Sequence, residues 1–297
     1  MVGPLPGIAR RTLQTRTLAF HVAEAGPVDA PIVLLLHGFP EFWYSWRHQL
    51  LGLSDTFRVV APDLRGYGGS DKQGPYDLET LCADVAAIVQ ALGHERGQPD
   101  LRVTLVGHDW GGVIAWATAV LHPQVVERLA ICNAPHPLGF LDSLWRHPRQ
   151  IARSWYIGLF QVPGLMEHLF RRDPQGMLAR MLQGAAGRKG VFPPDEIQLF
   201  AEALLLPGTL EAALGYYRAL PGSIRKIKQL QGKIDAPVLV LWGRKDPALG
   251  PELVDAARRY VTGPLIVQWF ADAGHWLQQE EPEAVTVALA SFAASRP

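Results

Sequence analysis

Three things are scarce in this sequence. Net charge is one: 28 lysines and arginines offset 28 aspartates and glutamates. The composition therefore carries no electrostatic footprint for nucleic acid or for an anionic membrane. Cysteine is the second. Cys82 and Cys132 are the only two among 297 residues, each in an apolar stretch and neither in a CxxC pair. Both read as buried small hydrophobes with reduced thiols, which disfavours a disulfide and fits the cytoplasm. The third is any long apolar run. No stretch approaches the roughly 20 apolar residues of a membrane helix. The opening Met1-Val2-Gly3-Pro4-Leu5-Pro6, followed by Arg10 and Arg11, breaks before a signal-peptide core can form. The expectation is a soluble, cytoplasmic protein with no nucleic-acid or membrane partner. A homo-oligomer is allowed but not legible.

Apolar residues make up 48% of the chain, enough for a sizeable core. Continuous apolar runs at Pro31 to Leu36, Phe57 to Ala61, Leu101 to Val106 and Val126 to Cys132 read as buried strands. Leu78 to Leu92 carries apolar residues at helical spacing and is expected to stop at Gly93. Val113 to Leu121 is a further helical run. Buried strands alternating with helices predict an α/β fold with a mostly parallel sheet flanked by helices. After Pro137 the rhythm changes. Amphipathic helical segments, broken by Pro163, Gly164, Pro174, Pro193, Pro194, Pro207 and Pro221, run to about Gly232. The β/α rhythm resumes with strands at Ala236 to Trp242 and Leu265 to Phe270, a helix around Glu252 to Tyr260, and a last helix around Pro282 to Ala293. The expected organisation is a core of residues 1–137 and 233–297 with a helical cap, 138–232, and a pocket at their junction.

The most specific signal is Gly107-His108-Asp109-Trp110-Gly111, between a strand and a helix. It has the form of the nucleophile elbow G-x-S-x-G, with Asp109 in place of serine. A carboxylate needs no base to become anionic and can displace directly at a saturated carbon, leaving an ester on the enzyme. The competing reading is an aspartate that only caps the helix. The Trp110 N–H, at the helix N-terminus, points at developing negative charge. Asp246, just past the Ala236 to Trp242 strand, stands where an orienting acid belongs. An acid after the earlier strand is disfavoured because Asn133 stands there. His275, after the Leu265 to Phe270 strand, completes the order nucleophile, acid, histidine. Alone, each would be an ordinary turn residue. In His37-Gly38-Phe39-Pro40, the Phe39 N–H is positioned to pair with that of Trp110 as an oxyanion hole. His37 and His108 read as structural.

Taken together these residues resemble the epoxide hydrolases of the α/β-hydrolase superfamily, close to the soluble type. The resemblance runs through His37-Gly38-Phe39-Pro40-Glu41, Trp43-Tyr44-Ser45-Trp46-Arg47, Asp63-Leu64-Arg65-Gly66-Tyr67-Gly68, the Asp109 elbow, Lys245-Asp246 and Gly274-His275-Trp276. It implies an α/β-hydrolase fold with the helical cap inserted after the sixth strand, and a cis Phe39–Pro40 bond. It also implies two cap tyrosines that hold the epoxide oxygen, matched here by Tyr156 and Tyr217. Tyr216, about 100° away on a helix, is expected to pack. Phe39, Trp110 and Trp155 are the expected substrate-binding residues. The implied substrate is a small apolar epoxide, with water as co-reactant and neither cofactor nor metal. Two alternatives stay open. One is a haloalkane dehalogenase, a family that typically has a halide-binding Asn where Phe39 stands. The other is a non-catalytic ligand-binding receptor on the same scaffold.

Overall fold

The protein is described by a computed structural model covering residues 2–228 and 231–295; Met1 and Pro297, the outer bounds of the expected core, lie outside the described residues. The strands are β1 (Ala9–Gln14), β2 (Ala19–Ala25), β3 (Ile32–Leu36), β4 (Arg58–Pro62), β5 (Val103–His108), β6 (Val126–Cys132), β7 (Val238–Gly243) and β8 (Leu265–Phe270). They form one sheet in the order β1-β2-β4-β3-β5-β6-β7-β8. From β4 to β8 every pairing is parallel. β2 pairs antiparallel with both β1 and β4.

The first helices are α1 (Arg47–Gly52), α2 (Leu78–Glu95) and α3 (Trp110–Leu121). Between β6 and β7 come α4 (Pro137–Arg146), α5 (Pro148–Arg153), α6 (Trp155–Phe160), α7 (Leu165–Arg172), α8 (Pro174–Ala185), α9 (Pro194–Leu204) and α10 (Thr209–Ile227). The chain closes with α11 (Glu252–Ala257), α12 (Leu277–Glu280) and α13 (Pro282–Ala294). No single described helix is long and apolar enough to cross a membrane.

Strand placement follows from burial. Every residue of β3, β5 and β7 is buried, as expected of strands covered by helices on both faces. β1, Ala-Arg-Arg-Thr-Leu-Gln, buries only Leu13 and lies at the sheet edge. It lacks the apolar run that marks the others, so the β1–β2 hairpin was not legible.

Two expected breaks are corrected. α2 does not stop at Gly93 but runs to Glu95. Gly93 instead admits the following turn: a Cβ there would stand 2.5 Å from the Gln98 carbonyl oxygen. The left-handed residue past the helix end is Gly97, at φ 63°. Pro221 does not break the cap either; it lies inside α10. A proline removes the N–H that would bond the carbonyl four residues back, that of Tyr217. That carbonyl accepts from the side-chain amide of Gln161 at 2.7 Å instead.

Candidate active site

Asp109 directly follows β5 and immediately precedes α3, at φ 49° and ψ −122°. A non-glycine residue holds such a conformation only where its surroundings enforce it. The crowding is visible at two glycines. A Cβ on Gly111 would stand 2.2 Å from the Leu36 carbonyl oxygen, and one on Gly38 2.4 Å from Asp109 Cβ. Both positions therefore need glycine so that β3 and the elbow can touch. With Gly38 in place, the Phe39 N–H donates to Asp109 Oδ1 at 2.9 Å. The Phe39–Pro40 bond is cis, as the resemblance implied. Trp110 is the first residue of α3.

His275 lies between β8 and α12. Its Nε2 stands 3.5 Å from Asp109 Oδ2, and its Nδ1 2.8 Å from Asp246 Oδ2. Asp246 is fixed by the N–H groups of Ala248 and Leu249, 2.8 and 2.9 Å from Oδ1. Asn133 Nδ2 donates to Asp246 Oδ2 at 2.8 Å, and Asn133 Oδ1 accepts from Gly243 N–H at 2.9 Å. Sequence reasoning used Asn133 only to argue against an acid at that strand end. Its φ is 41°, a left-handed conformation rare for a residue other than glycine.

The charges are strongly coupled. Burial pushes the Asp109 carboxyl up, but the hydrogen bond and charge of His275 and the Phe39 N–H outweigh it, and the group ends below the usual range. Burial pushes His275 down, yet the Asp246 and Asp109 carboxylates more than compensate and lift it well above an ordinary imidazole.

A second buried carboxylate, which the sequence offered only as part of a motif, ties the loops together. Glu41 Oε2 accepts from Gly38 N–H at 3.1 Å and meets His108 Nδ1 at 2.8 Å. Its Oε1 accepts from the amides of Gln278 and Gln279, at 2.9 and 2.8 Å. His108 Nε2 in turn lies 2.8 Å from the His275 carbonyl oxygen. The oxyanion turn, the elbow and the histidine loop thus share one hydrogen-bonded hub. His37 is structural as expected: its Nε2 accepts from Leu64 N–H at 3.0 Å.

Asp109 opens into a cavity of about 500 Å³ beneath the inserted helices. Apart from Asp109, no acidic or basic side chain among the described residues lines it. Tyr156, Tyr217, Trp110 and Trp155 stand in its wall. The Tyr217 ring packs edge-on against Trp110, Phe39 and Phe160, with centroids 5.1, 5.5 and 4.6 Å away. Tyr156 meets Tyr217 at 6.3 Å. Burial, together with the Asp109 charge, pushes both phenols up, so both keep their protons. Tyr216 faces away and packs, its hydroxyl donating to the Arg65 carbonyl at 2.7 Å. Phe39 departs from expectation: its ring is not part of the cavity wall but joins Phe160, Phe170 and Tyr217 in an aromatic cluster. Its backbone, not its ring, reaches the site.

Fold and constellation define a hydrolase of the α/β type. Residues 31–282 match a family model described as alpha/beta hydrolase fold. The chain is 36% identical over 282 residues to mouse Epoxide hydrolase 4, covering 93% of this chain and 76% of that one. It is 38% identical over 282 residues to Epoxide hydrolase 3 of Xenopus tropicalis, covering 93% and 74%. The crystal structure of Bacillus megaterium epoxide hydrolase in complex with an inhibitor matches with a TM-score of 0.84 at 29% identity, over 95% of this chain and 99% of that one. The chain therefore belongs to the α/β-hydrolase family, within the group that these epoxide hydrolases form.

Proposed function

We propose that the protein is an epoxide hydrolase that converts an apolar epoxide to a vicinal diol through an ester on Asp109. One observation carries the reading. A carboxylate at a strained elbow lines the same apolar cavity as two buried phenols whose proton affinity is raised. In this reading residues 138–232 act as the cap and residues 1–137 and 233–297 as the core. The free, buried Cys82 and Cys132 support a cytoplasmic setting.

Oδ1 of Asp109 is engaged by Phe39, so Oδ2 attacks the epoxide carbon. The C–O bond of the ring breaks, and Tyr156 and Tyr217 stabilise and protonate the alkoxide. Esterification removes one of the two charges that hold His275 protonated, its affinity for a proton falls, and the proton it releases restores the tyrosine that protonated the alkoxide. Neutral His275, oriented by Asp246, then takes a proton from water as the water oxygen adds to Cγ of Asp109. The Phe39 and Trp110 N–H groups hold the resulting oxyanion. Collapse breaks the ester C–O bond, His275 gives its proton to the departing alkoxide to complete the diol, and the carboxylic acid left on Asp109 passes its proton to His275, which restores both groups. Trp110 and Trp155 contact the substrate's apolar part.

The test is a single turnover in ¹⁸O-water with an aryl or alkyl epoxide. Label should enter Asp109 and be absent from the first diol. Label in the first diol would mean direct attack of water on the epoxide and would overturn the ester mechanism.

A further inference from the structure

The inserted helices carry a surface that the proposed chemistry does not use. Between Asp142 and Glu167 there is no acidic residue, but there are three arginines: Arg146, Arg149 and Arg153. Arg153 pairs with Glu252. Arg146 and Arg149 are exposed and pair with no carboxylate among the described residues. Beside them Trp145 is 90% exposed, Trp155 67% and Ile151 55%. Leu159, Val162 and Leu165 are the next exposed apolar residues along the chain, from α6 to the start of α7. Scattered exposed hydrophobics are ordinary, but six within residues 145–165, two of them tryptophans, mark an interaction site.

Two further features indicate what the site meets. Indole rings next to arginines match a lipid–water interface, where the indole lies at headgroup level and the guanidinium pairs with phosphate. The same segment also forms the cavity mouth: Ile151 and Trp155 are both exposed and part of the cavity wall. A second copy of the chain fits less well. A two-fold contact centred here would bring Arg146 and Arg149 against their own counterparts, because the nearby carboxylates are already engaged, Asp142 by Arg259 and Tyr260 and Glu252 by Arg153.

We propose that this face docks on a bilayer bearing anionic headgroups, with the cavity mouth turned towards the lipid. An apolar substrate dissolved in the bilayer then reaches Asp109 without crossing bulk water; that consequence rests on the epoxide reading, whereas the docking does not. The zero net charge of the whole chain conceals the patch because a sum over the chain carries no positions.

The experiment is sedimentation of the full-length protein with vesicles of phosphatidylcholine alone or mixed with phosphatidylserine, with no epoxide present. Binding should be stronger on the mixed vesicles and weaken as salt is raised. Arg146→Glu with Arg149→Glu should lower binding at least tenfold, and Trp145→Ser should lower it severalfold even at low salt. Neither Trp145 nor the two arginines line the cavity, so turnover of a water-soluble epoxide should be unchanged in both variants. No vesicle binding, or binding indifferent to these variants, overturns the proposal. So does a wild-type dimer in sedimentation velocity that Trp145→Ser dissociates, which would assign the face to a second copy. Vesicle binding without any diol formation would instead count against the epoxide reading alone.

Discussion

The side-chain amide of Gln161 donates to the backbone carbonyl of Tyr217 at 2.7 Å, the carbonyl that Pro221 deprives of its helical partner. The bond ties α6 to α10 at the residue proposed to hold the epoxide oxygen. Replacing Gln161 with Leu strands a largely buried acceptor, at a cost of about 1–3 kcal/mol. Alkylation of Asp109, followed by stopped flow, should slow severalfold as the Tyr217 phenol loses its position. An unchanged alkylation rate would reduce the bond to a purely structural role.

The two phenols should share their task. Tyr156→Phe or Tyr217→Phe alone is expected to slow alkylation about tenfold to a hundredfold, and the double variant about a thousandfold or more. Tyr216→Phe should leave the rate alone, since its hydroxyl is spent on Arg65. Pre-steady-state measurement is needed so that ester hydrolysis does not mask the effect. A double variant that alkylates at the wild-type rate makes the tyrosines packing residues.

The two chemical steps should differ in pH dependence. Asp109 is held below the ordinary carboxylate range, so alkylation should persist as pH falls through about 4. Hydrolysis of the ester requires neutral His275, so its rate should fall as pH drops through the histidine's value in the ester. In His275→Gln the ester should accumulate and be found by mass spectrometry on Asp109. An adduct on another residue, or parallel pH profiles for the two steps, would contradict these assignments.

His136 supplies a stability test away from the chemistry. It is buried, stacked on Tyr260 with ring centroids 4.2 Å apart, and neither ring nitrogen has a hydrogen-bond partner. Burial, with a smaller push from Lys233, lowers it to about 3. The unfolded chain takes up this proton below about 6.5 and the folded chain only near 3. Stability is therefore intact above 6.5 and lost as pH falls, by about 2 kcal/mol at pH 5. His136→Phe keeps the stack and removes the titration. Its stability relative to wild type, from urea unfolding at pH 7 and pH 5, should rise by about that amount. Equal shifts at the two pH values would rule this out.

Substrate shape should follow the cavity. The space beside Asp109 extends along α4, α5, α6 and α10, while Phe39, Phe160 and Phe170 pack together elsewhere around Tyr217. Terminal epoxides with one bulky apolar substituent should give kcat/KM at least tenfold above trans-disubstituted ones of equal size. Phe170→Ala should narrow that ratio. Equal turnover of both classes by the wild type would show that the aromatic cluster sets no limit.

What the sequence determined is what local chemistry can encode. Buried strands such as β3 and β5 announce themselves because burial on both faces demands unbroken apolar runs. Asp109 was legible because a strained elbow needs its glycines within two residues of the candidate nucleophile. Asp246 and His275 followed from their order after successive strands. Tertiary structure decided the rest, because the rest depends on groups far apart in the chain. The β1 edge strand has no apolar run, and only its pairing with β2 reveals it. The Asn133 amide acquires a role only through Asp246, 113 positions away, and Glu41 only through His108, Gln278 and Gln279. Pro221 reads locally as a helix breaker, yet the side chain of Gln161, just past α6, satisfies the carbonyl it orphans. Net charge was readable as zero, but whether carboxylates lie beside Arg146 and Arg149 is a matter of spatial arrangement. A sum over the chain carries no positions, and electrostatic contacts act over a few ångströms.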